Sequence, residues 1–368
     1  MKWLFSIAVF WAAASAWADS APTPIAIIGL AHEQAGAFIN ELRSRPDASL
    51  VGIVESNRDL IVEYRQRYGL GAETLFSSFD EMIRKVHPRA AAVFSQTVQH
   101  RAIVEKCAQY GMDVMLEKPL AINLEEARAL AAAAKKAGIR VIVDYETAWF
   151  PASESAYEIA RTKRSIGAIR KIVVRAGHRG PKEIGCSPQF LSWLTDPAQS
   201  GGGALIDFGC YGADEIAWLM DGERPVSVTA ATQHLKPQIY GQVDDEATVI
   251  VEYPHTHAII EASWNWPYEV RELQVYGGDG YLLVTRPDEV RVRKGGSPET
   301  QVRLVPPPRG QGITDDLSCL LAVARHEVQP AGMASLDLNL TVTEILDAAR
   351  ESARTGRRID FAPASTGQ

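Results

Sequence analysis

A chain of 368 residues, 46% of them hydrophobic, is long enough for two domains of ordinary size and excludes a small scaffold held by disulfides or metal. Lysine and arginine number 38 against 45 aspartate and glutamate, a formal net charge of −7, with no basic cluster or stripe to follow a phosphate backbone, which excludes nucleic acid as a partner. Cys107, Cys186, Cys210 and Cys319 lie far apart without metal-ligand spacing, and Cys107 and Cys319 sit on apolar faces of predicted helices, so neither disulfides nor a metal site is expected.

Residues 1–18 open on one cation, Lys2, continue through an apolar run from Trp3 to Trp17, and close on the small-x-small sequence Ala16-Trp17-Ala18. This is the pattern of a cleaved secretory signal: the run is short for a lasting membrane anchor, and no twin arginine precedes it. The expected mature chain is periplasmic or secreted, makes no stable membrane insertion, and carries −7 − 1 = −8 once Lys2 is removed. Residues 19–23 read as a linker.

Residues 24–148 alternate short apolar runs with amphipathic stretches, the signature of strand–helix units on a parallel sheet. Strands are predicted at 25–29, 50–55, 91–95, 114–117 and 141–144, with a weak one near Leu75. Helix signals lie between them: Glu41 and Arg45 after the first strand, a stripe from Val98 to Tyr110 ending at Gly111, and a capping box of Asn123 and Glu126 for the alanine-rich helix to Lys136. The fold class of this part is α/β, a Rossmann doubly wound parallel sheet that takes ligands at the carboxyl ends of its strands. From 149 to 362 the chain is β-rich, with strands predicted at 169–176, 226–232, 247–253, 257–264, 273–276, 281–284 and 290–292, a helix at 204–219 and closing helices at 314–326 and 337–355. That reads as an α+β, substrate-binding domain on one open, mostly antiparallel sheet with helices on one face, the closing helices able to pack back on the first domain.

Gly29-Leu-Ala-His-Glu-Gln-Ala-Gly36 follows the first strand, where a dinucleotide fingerprint requires glycine at 29, 31 and 34. Gly29 complies, Ala31 adds a methyl, and Gln34 replaces the glycine of close helix–strand packing; Gly29, Ala31 and His32 are the expected cofactor contacts in this turn. Glu55 ends the second strand, either as a ribose acceptor that favours NAD over NADP or as a solvated acid, with Arg58 nearby to soften the discrimination. Val114 to Leu116 runs into Glu117-Lys118-Pro119, which presents an ammonium from a rigid strand end or, taken alone, is a surface lysine before a turn. In Gly201-Gly-Gly-Ala-Leu-Ile-Asp-Phe-Gly-Cys-Tyr211 three glycines bend into a helix start, and Asp207 and Tyr211 fall four apart on one helical face. A carboxylate and a phenol so placed suit proton transfer if Lys118 lowers the phenol pKa; the alternative is a capped helix whose tyrosine hydroxyl bonds to Asp207.

On these features, the first-strand turn, Glu117-Lys118-Pro119, the glycine run with Asp207 and Tyr211, and the two-domain order, the chain resembles the Gfo/Idh/MocA oxidoreductase family over nearly all its mature length. Its tyrosine-type members, glucose-fructose oxidoreductase-like and dihydrodiol dehydrogenase-like, are the nearer analogy, because inositol-dehydrogenase-like members carry histidine where this chain has Tyr211. The resemblance implies NAD(P) as cofactor, with Glu55 favouring NAD, a sugar, polyol or pyranoside as substrate, Lys118 as the catalytic lysine, Asp207 as its partner and Tyr211 as acid/base. It implies Ser95 and Gln96 beside the nicotinamide ribose, Glu117 among the cofactor contacts, and His100 either there or packed beneath the cofactor. Substrate contacts are expected from Tyr145 and Trp149 at the domain junction, from His178 and Lys182 in a polar loop that reads equally as a solvated turn, and from Trp264, which with Trp266 reads equally as a core layer. A homo-oligomer through the C-terminal sheet is also implied. An exported protein leaves two further readings, an NAD-dependent glycoside hydrolase that recycles a tightly held NAD and a cofactor-free carbohydrate-binding protein.

Overall fold

The computed structural model describes residues 21–305 and 312–362; the expected signal segment lies outside the described residues. Ala90–Val93 and Asp113–Glu117 are buried at every position, which only strands covered on both faces tolerate. They are the middle of a parallel sheet of β1 (Thr23–Ile28), β2 (Ala48–Val54), β3 (Leu75–Phe76), β4 (Ala90–Val93), β5 (Asp113–Glu117) and β6 (Val141–Asp144), in the order β3-β2-β1-β4-β5-β6. Strand β1 already includes Thr23, paired with Ala48, so the sheet begins inside the expected linker. The connecting helices are α1 (Ala35–Ser44), α2 (Arg58–Tyr68), α3 (Phe79–Lys85), α4 (His100–Gln109) and α5 (Leu124–Ala137). Asn57, Ser78 and Asn123 cap α2, α3 and α5 with side-chain oxygens.

The second sheet has nine strands: β7 (Ile169–Gly177), β8 (Ser227–Gln233), β9 (Glu246–Glu252), β10 (His257–Ser263), β11 (Val270–Gly277), β12 (Gly280–Arg286), β13 (Glu289–Lys294), β14 (Thr300–Arg303) and β15 (Ile359–Asp360). Their order is β14-β13-β12-β11-β7-β10-β9-β8-β15; β7 and β10 run parallel and the other pairs antiparallel. Alternate residues of β9 and β10, among them Val249, Val251, Ala258 and Ile260, are buried beneath a helix layer, as a sheet covered on one face requires. The helices of this part are, in chain order, α6 (Pro151–Tyr157), α7 (Pro188–Leu194), α8 (Pro197–Ser200), α9 (Ala204–Asp207), α10 (Gly209–Leu219), α11 (Asp316–Ala324) and α12 (Leu336–Thr355), of which α6, α9, α10 and α12 pack on the sheet. The single helix expected at 204–219 is divided at Phe208.

The last two helices return to the first domain. Leu317, Leu320 and Leu321 of α11 join Ile25, Ile27 and Phe38 in one apolar cluster, and α12 packs on α5, α10 and β8. All four cysteines are free, and among the described residues no helix is long and apolar enough to cross a membrane.

Candidate active site

Strand β5 lies between β4 and β6, with Glu117 in register with Asp144, so the strand end carries Lys118 to the carboxyl edge of the sheet, where the Lys118–Pro119 peptide is cis. Lys118 Nζ donates to Asp207 Oδ1 at 2.6 Å and to the Asp207 carbonyl at 3.1 Å. The glycine run aims that carboxylate. Gly201 adopts φ +91°, and a side chain there would meet the carbonyl of Ile122. The following turn is fixed by Asp244, whose carboxylate accepts from the amides of Gly203 at 3.2 Å and Leu205 at 2.7 Å. The second oxygen of Asp207 accepts from Trp264 Nε1 at 3.0 Å, so the carboxylate binds Lys118 and Trp264, and the expected alternative of a bond to Tyr211 is not formed.

These contacts set the charges. Burial alone would push the Asp207 carboxyl up, yet the Lys118 ammonium, His178 and the Trp264 N–H hold it below its ordinary value. Burial disfavours the Lys118 ammonium, but Asp207, then Tyr211, keep it above its ordinary value. Lys118 is thus a fixed cation. Its Nζ lies 5.2 Å from the Tyr211 ring centroid, but burial outweighs this and raises the phenol instead of lowering it as the sequence led us to expect. Tyr211 is a neutral phenol at neutral pH, in the form that donates a proton.

Lys118, Asp207 and Tyr211 line one cavity of about 620 Å³ with His32, Glu117, Trp149 and His178, a volume suited to a small ligand. Burial, then Lys118, lowers His32 to about 3, so the ring is neutral 3.8 Å from Glu117 Oε1. Burial raises Glu117 to about 8. Trp149 Nε1 donates to Asp144 Oδ1 at 2.7 Å. His178 accepts from the Gly180 amide through Nδ1 at 2.9 Å, and burial lowers its pKa.

A neighbouring cavity of about 290 Å³ is lined by Gly29, Ala31, Glu55, Asn57, Ser95 and Gln96. Its residues fit the dinucleotide that the first domain implies. Gly29 stands at φ +85°, and a Cβ there would come within 2.9 Å of the Ser95 backbone, so only glycine allows the turn to close on β4. Glu55 is buried, and each of its oxygens accepts one amide, Leu30 at 2.8 Å and Asn57 at 2.8 Å. It is therefore no solvated acid, and each oxygen keeps a lone pair for a ribose hydroxyl. Two residues after Gln34, Gly36 instead lets α1 approach α2, where it lies against the Tyr68 hydroxyl.

Four expected contacts do not reach either cavity. His100 is buried and binds the Leu120 carbonyl at 3.2 Å, beneath the turn after Lys118. Tyr145 is fully buried and packs edge-on to Tyr211 with centroids 5.6 Å apart. Trp264 is fully buried too, and serves Asp207 from behind. Lys182 is exposed: its loop is pinned by the Lys182 amide to Tyr240 and by Glu183 to Lys236, which turns the ammonium outward. Three residues that the sequence reading missed do line the larger cavity: Arg271, Asp144 and Asp316. Arg271 had a signal, because it is in phase with the buried Leu273 and Val275 of β11. Glu41, Asp315 and Asp316 also bring carboxylate oxygens within 4.8 Å of one another, a juxtaposition that no sequence spacing discloses.

Residues 24–145 match the family described as "Oxidoreductase family, NAD-binding Rossmann fold", and residues 160–283 match "GFO/IDH/MocA C-terminal domain". The trans-1,2-dihydrobenzene-1,2-diol dehydrogenase of Bos taurus is 29% identical over 219 residues, 59% of this chain and 61% of that one. The human enzyme of the same name is 26% identical over 62% of this chain and 64% of its own length, so the matched region spans less than two thirds of these relatives. An aldose-aldose oxidoreductase from Caulobacter crescentus superposes with TM-score 0.77 at 22% identity, covering 92% of this chain and 100% of that one. An inositol dehydrogenase homolog from Azotobacter vinelandii, complexed with NAD+, gives 0.77 at 18%, covering 94% and 98%. At these identities the likeness is one of fold.

Proposed function

This chain belongs to the Gfo/Idh/MocA oxidoreductase family, and we propose that it interconverts a CH–OH group and a carbonyl on a sugar, polyol or cyclic diol. The observation that carries this reading is the convergence of the Lys118 ammonium, its Asp207 partner and the Tyr211 phenol on one cavity beside the Gly29 cradle. NAD, when bound, supplies the hydride chemistry. Gly29, Ala31, Glu55, Ser95 and Gln96 would hold it, with Glu117 and His32 on the wall of the larger cavity. Tyr211 gives or takes the proton of the reacting oxygen, and Lys118 polarises that oxygen with a charge that Asp207 and Trp264 keep in place. Purified protein should be stabilised against heat by NAD more than by NADP. Lys118→Ala should keep that shift while turnover on a panel of aldoses and cyclic diols falls about 10²–10⁴-fold; wild-type turnover in the variant would sink the assignment.

One feature favours the recycling variant of this chemistry. Helix α7 lies over the βα turn, with Trp193 Nε1 donating to the Ala31 carbonyl at 3.1 Å and the Ser187 amide to Glu33 Oε1 at 2.8 Å. A roof there slows exchange of a bound dinucleotide and suits net glycoside hydrolysis, in which the cofactor is regenerated in each cycle. Aglycone release without accumulation of reduced cofactor separates this from a dehydrogenase. Export belongs to the same proposal and rests on the pattern of residues 1–18; a mature N-terminus at Asp19 is the expected product.

A further inference from the structure

The second residue of strand β11 is an arginine where residues of the same parity are core. Arg271 is in phase with Leu273 and Val275, which are 2% and 0% exposed, and its own side chain is 13% exposed. Its guanidinium carbon lies 4.7 Å from the ring centroid of Tyr211 and 4.7 Å from that of Phe208, two rings stacked with centroids 6.0 Å apart. One terminal nitrogen faces Glu269 at 3.2 Å and Glu146 at 3.8 Å, both carboxylates largely exposed. The other donates to the Val270 carbonyl at 3.0 Å, and Nε is buried without a partner. Side-chain donors at a buried site are normally all paired. Here the cation instead lies on aromatic faces, which attract it through the ring quadrupole, and a phenolate would attract it far more strongly than a phenol.

We propose that Arg271 is a positioning residue and electrostatic partner of Tyr211, lying close to the ring as Lys118 does and stabilising the negative charge left when the phenol protonates a substrate oxygen. In that step the Tyr211 O–H bond breaks, its proton passes to the oxygen of a carbonyl that receives hydride from the nicotinamide cofactor, and the electron pair stays on the phenolate. The inference rests on the reading of Tyr211 as acid/base. Groups facing Tyr211 are Glu117 at the end of β5, Lys118 just after it, Cys210 beside the tyrosine, Tyr145 beyond β6 and Arg271 from β11; Asp207 and His178 share the cavity wall. Asp214 and Glu215 are buried on the same helix, and Arg271 also offsets Glu215. Among them the positive charges are Lys118 and Arg271, and both oppose the upward push that burial gives the phenol.

The test places 3,5-difluorotyrosine at position 211 of the full chain and follows its ionisation by fluorine NMR across pH. Arg271→Gln, which keeps polar atoms at a buried site, should raise the midpoint by about one pH unit, a ten-fold fall in the ionisation constant. Arg271→Lys should stay near the wild-type midpoint because it keeps the charge. If Arg271→Gln does not fold, Arg271→Met takes its place with the same expectation. An unmoved midpoint in the folded neutral variant overturns the proposal. Turnover of Tyr211→Phe separates the two levels: wild-type turnover there fails the acid/base reading itself, whereas lost turnover with an unmoved midpoint in Arg271→Gln fails Arg271 alone.

Discussion

Lys118 and Asp207 owe their charges to each other. Their side chains are only 9% and 11% exposed, and a buried pair that loses one member leaves an uncompensated charge costing about 3–5 kcal/mol. Asp207→Ala should therefore lower stability by about that amount as well as turnover, measured by denaturant unfolding; a loss below about 1 kcal/mol would mean that water already screens the pair. At this scale the sequence disclosed residue types and chain position but not the direction of side chains. Lys118, Asp207, Tyr211, Trp149 and His178 were legible because glycine, proline or a strand end dictates where they emerge. Tyr145 and Trp264 occupy equally suggestive positions, but their large rings are drawn inward, where they support Tyr211 and Asp207. His100 matched a familiar position, yet its ring packs under the cis turn. Arg271 was passed over because an arginine at a strand start usually points to water, and only its parity with Leu273 and Val275 says otherwise.

Among the elements, α7 does most to define the cofactor cleft. Phe190 and Trp193 flank the His32 ring, with centroids 5.0 Å and 6.1 Å away, while Gln189 and Ser192 of the same helix line the smaller cavity. Trp193→Ala removes both the ring and its bond to Ala31, so release of NAD should accelerate by about ten-fold or more, one hydrogen bond plus part of a buried aromatic surface being worth more than about 1.4 kcal/mol. Stopped-flow release from the loaded protein measures it; an unchanged rate would show that α7 does not gate the cleft. Helix α7 itself was illegible in the sequence, as were α6 and α8, because seven residues or fewer behind a proline carry too little periodicity to register. The same brevity hid β15, and β14 is exposed throughout, leaving no buried stripe to read. The longer elements were legible: five of the six parallel strands, the core strands of the second sheet and its closing helices carry patterns that burial enforces, while the two-residue β3 left only a weak signal near Leu75.

Across the whole molecule, the larger cavity gathers acids from distant parts of the chain. Burial raises Glu117 to about 8, and burial together with neighbouring carboxyls raises Asp144 and Asp316 well above the carboxylate range. Such groups hold protons in the folded chain that the unfolded chain has released, so their contribution is complete below about pH 3.8 and is lost as the pH rises toward about 8. Buried neutral His32 and His100, lowered to about 3 and about 4, act oppositely, and their contribution is complete above about pH 6.5. The melting temperature should therefore fall between about pH 6.5 and 8, less steeply in Asp144→Asn; a flat wild-type profile would refute the assignment of these protons.

The return of α11 to the first domain has a consequence for the order in which the chain can fold. Ile25, Ile27 and Phe38 share their cluster with Leu317, Leu320 and Leu321, and Arg325 ties β1 to the turn before β2 by bonding Thr23 and Asp47. During synthesis the amino-terminal sheet emerges first, with α1 and α2 on one of its faces, yet that face is completed only when α11, far along the chain, has left the ribosome. The first domain is thus the first to be made and among the last to be finished, and its completion waits on a closure of nearly three hundred residues.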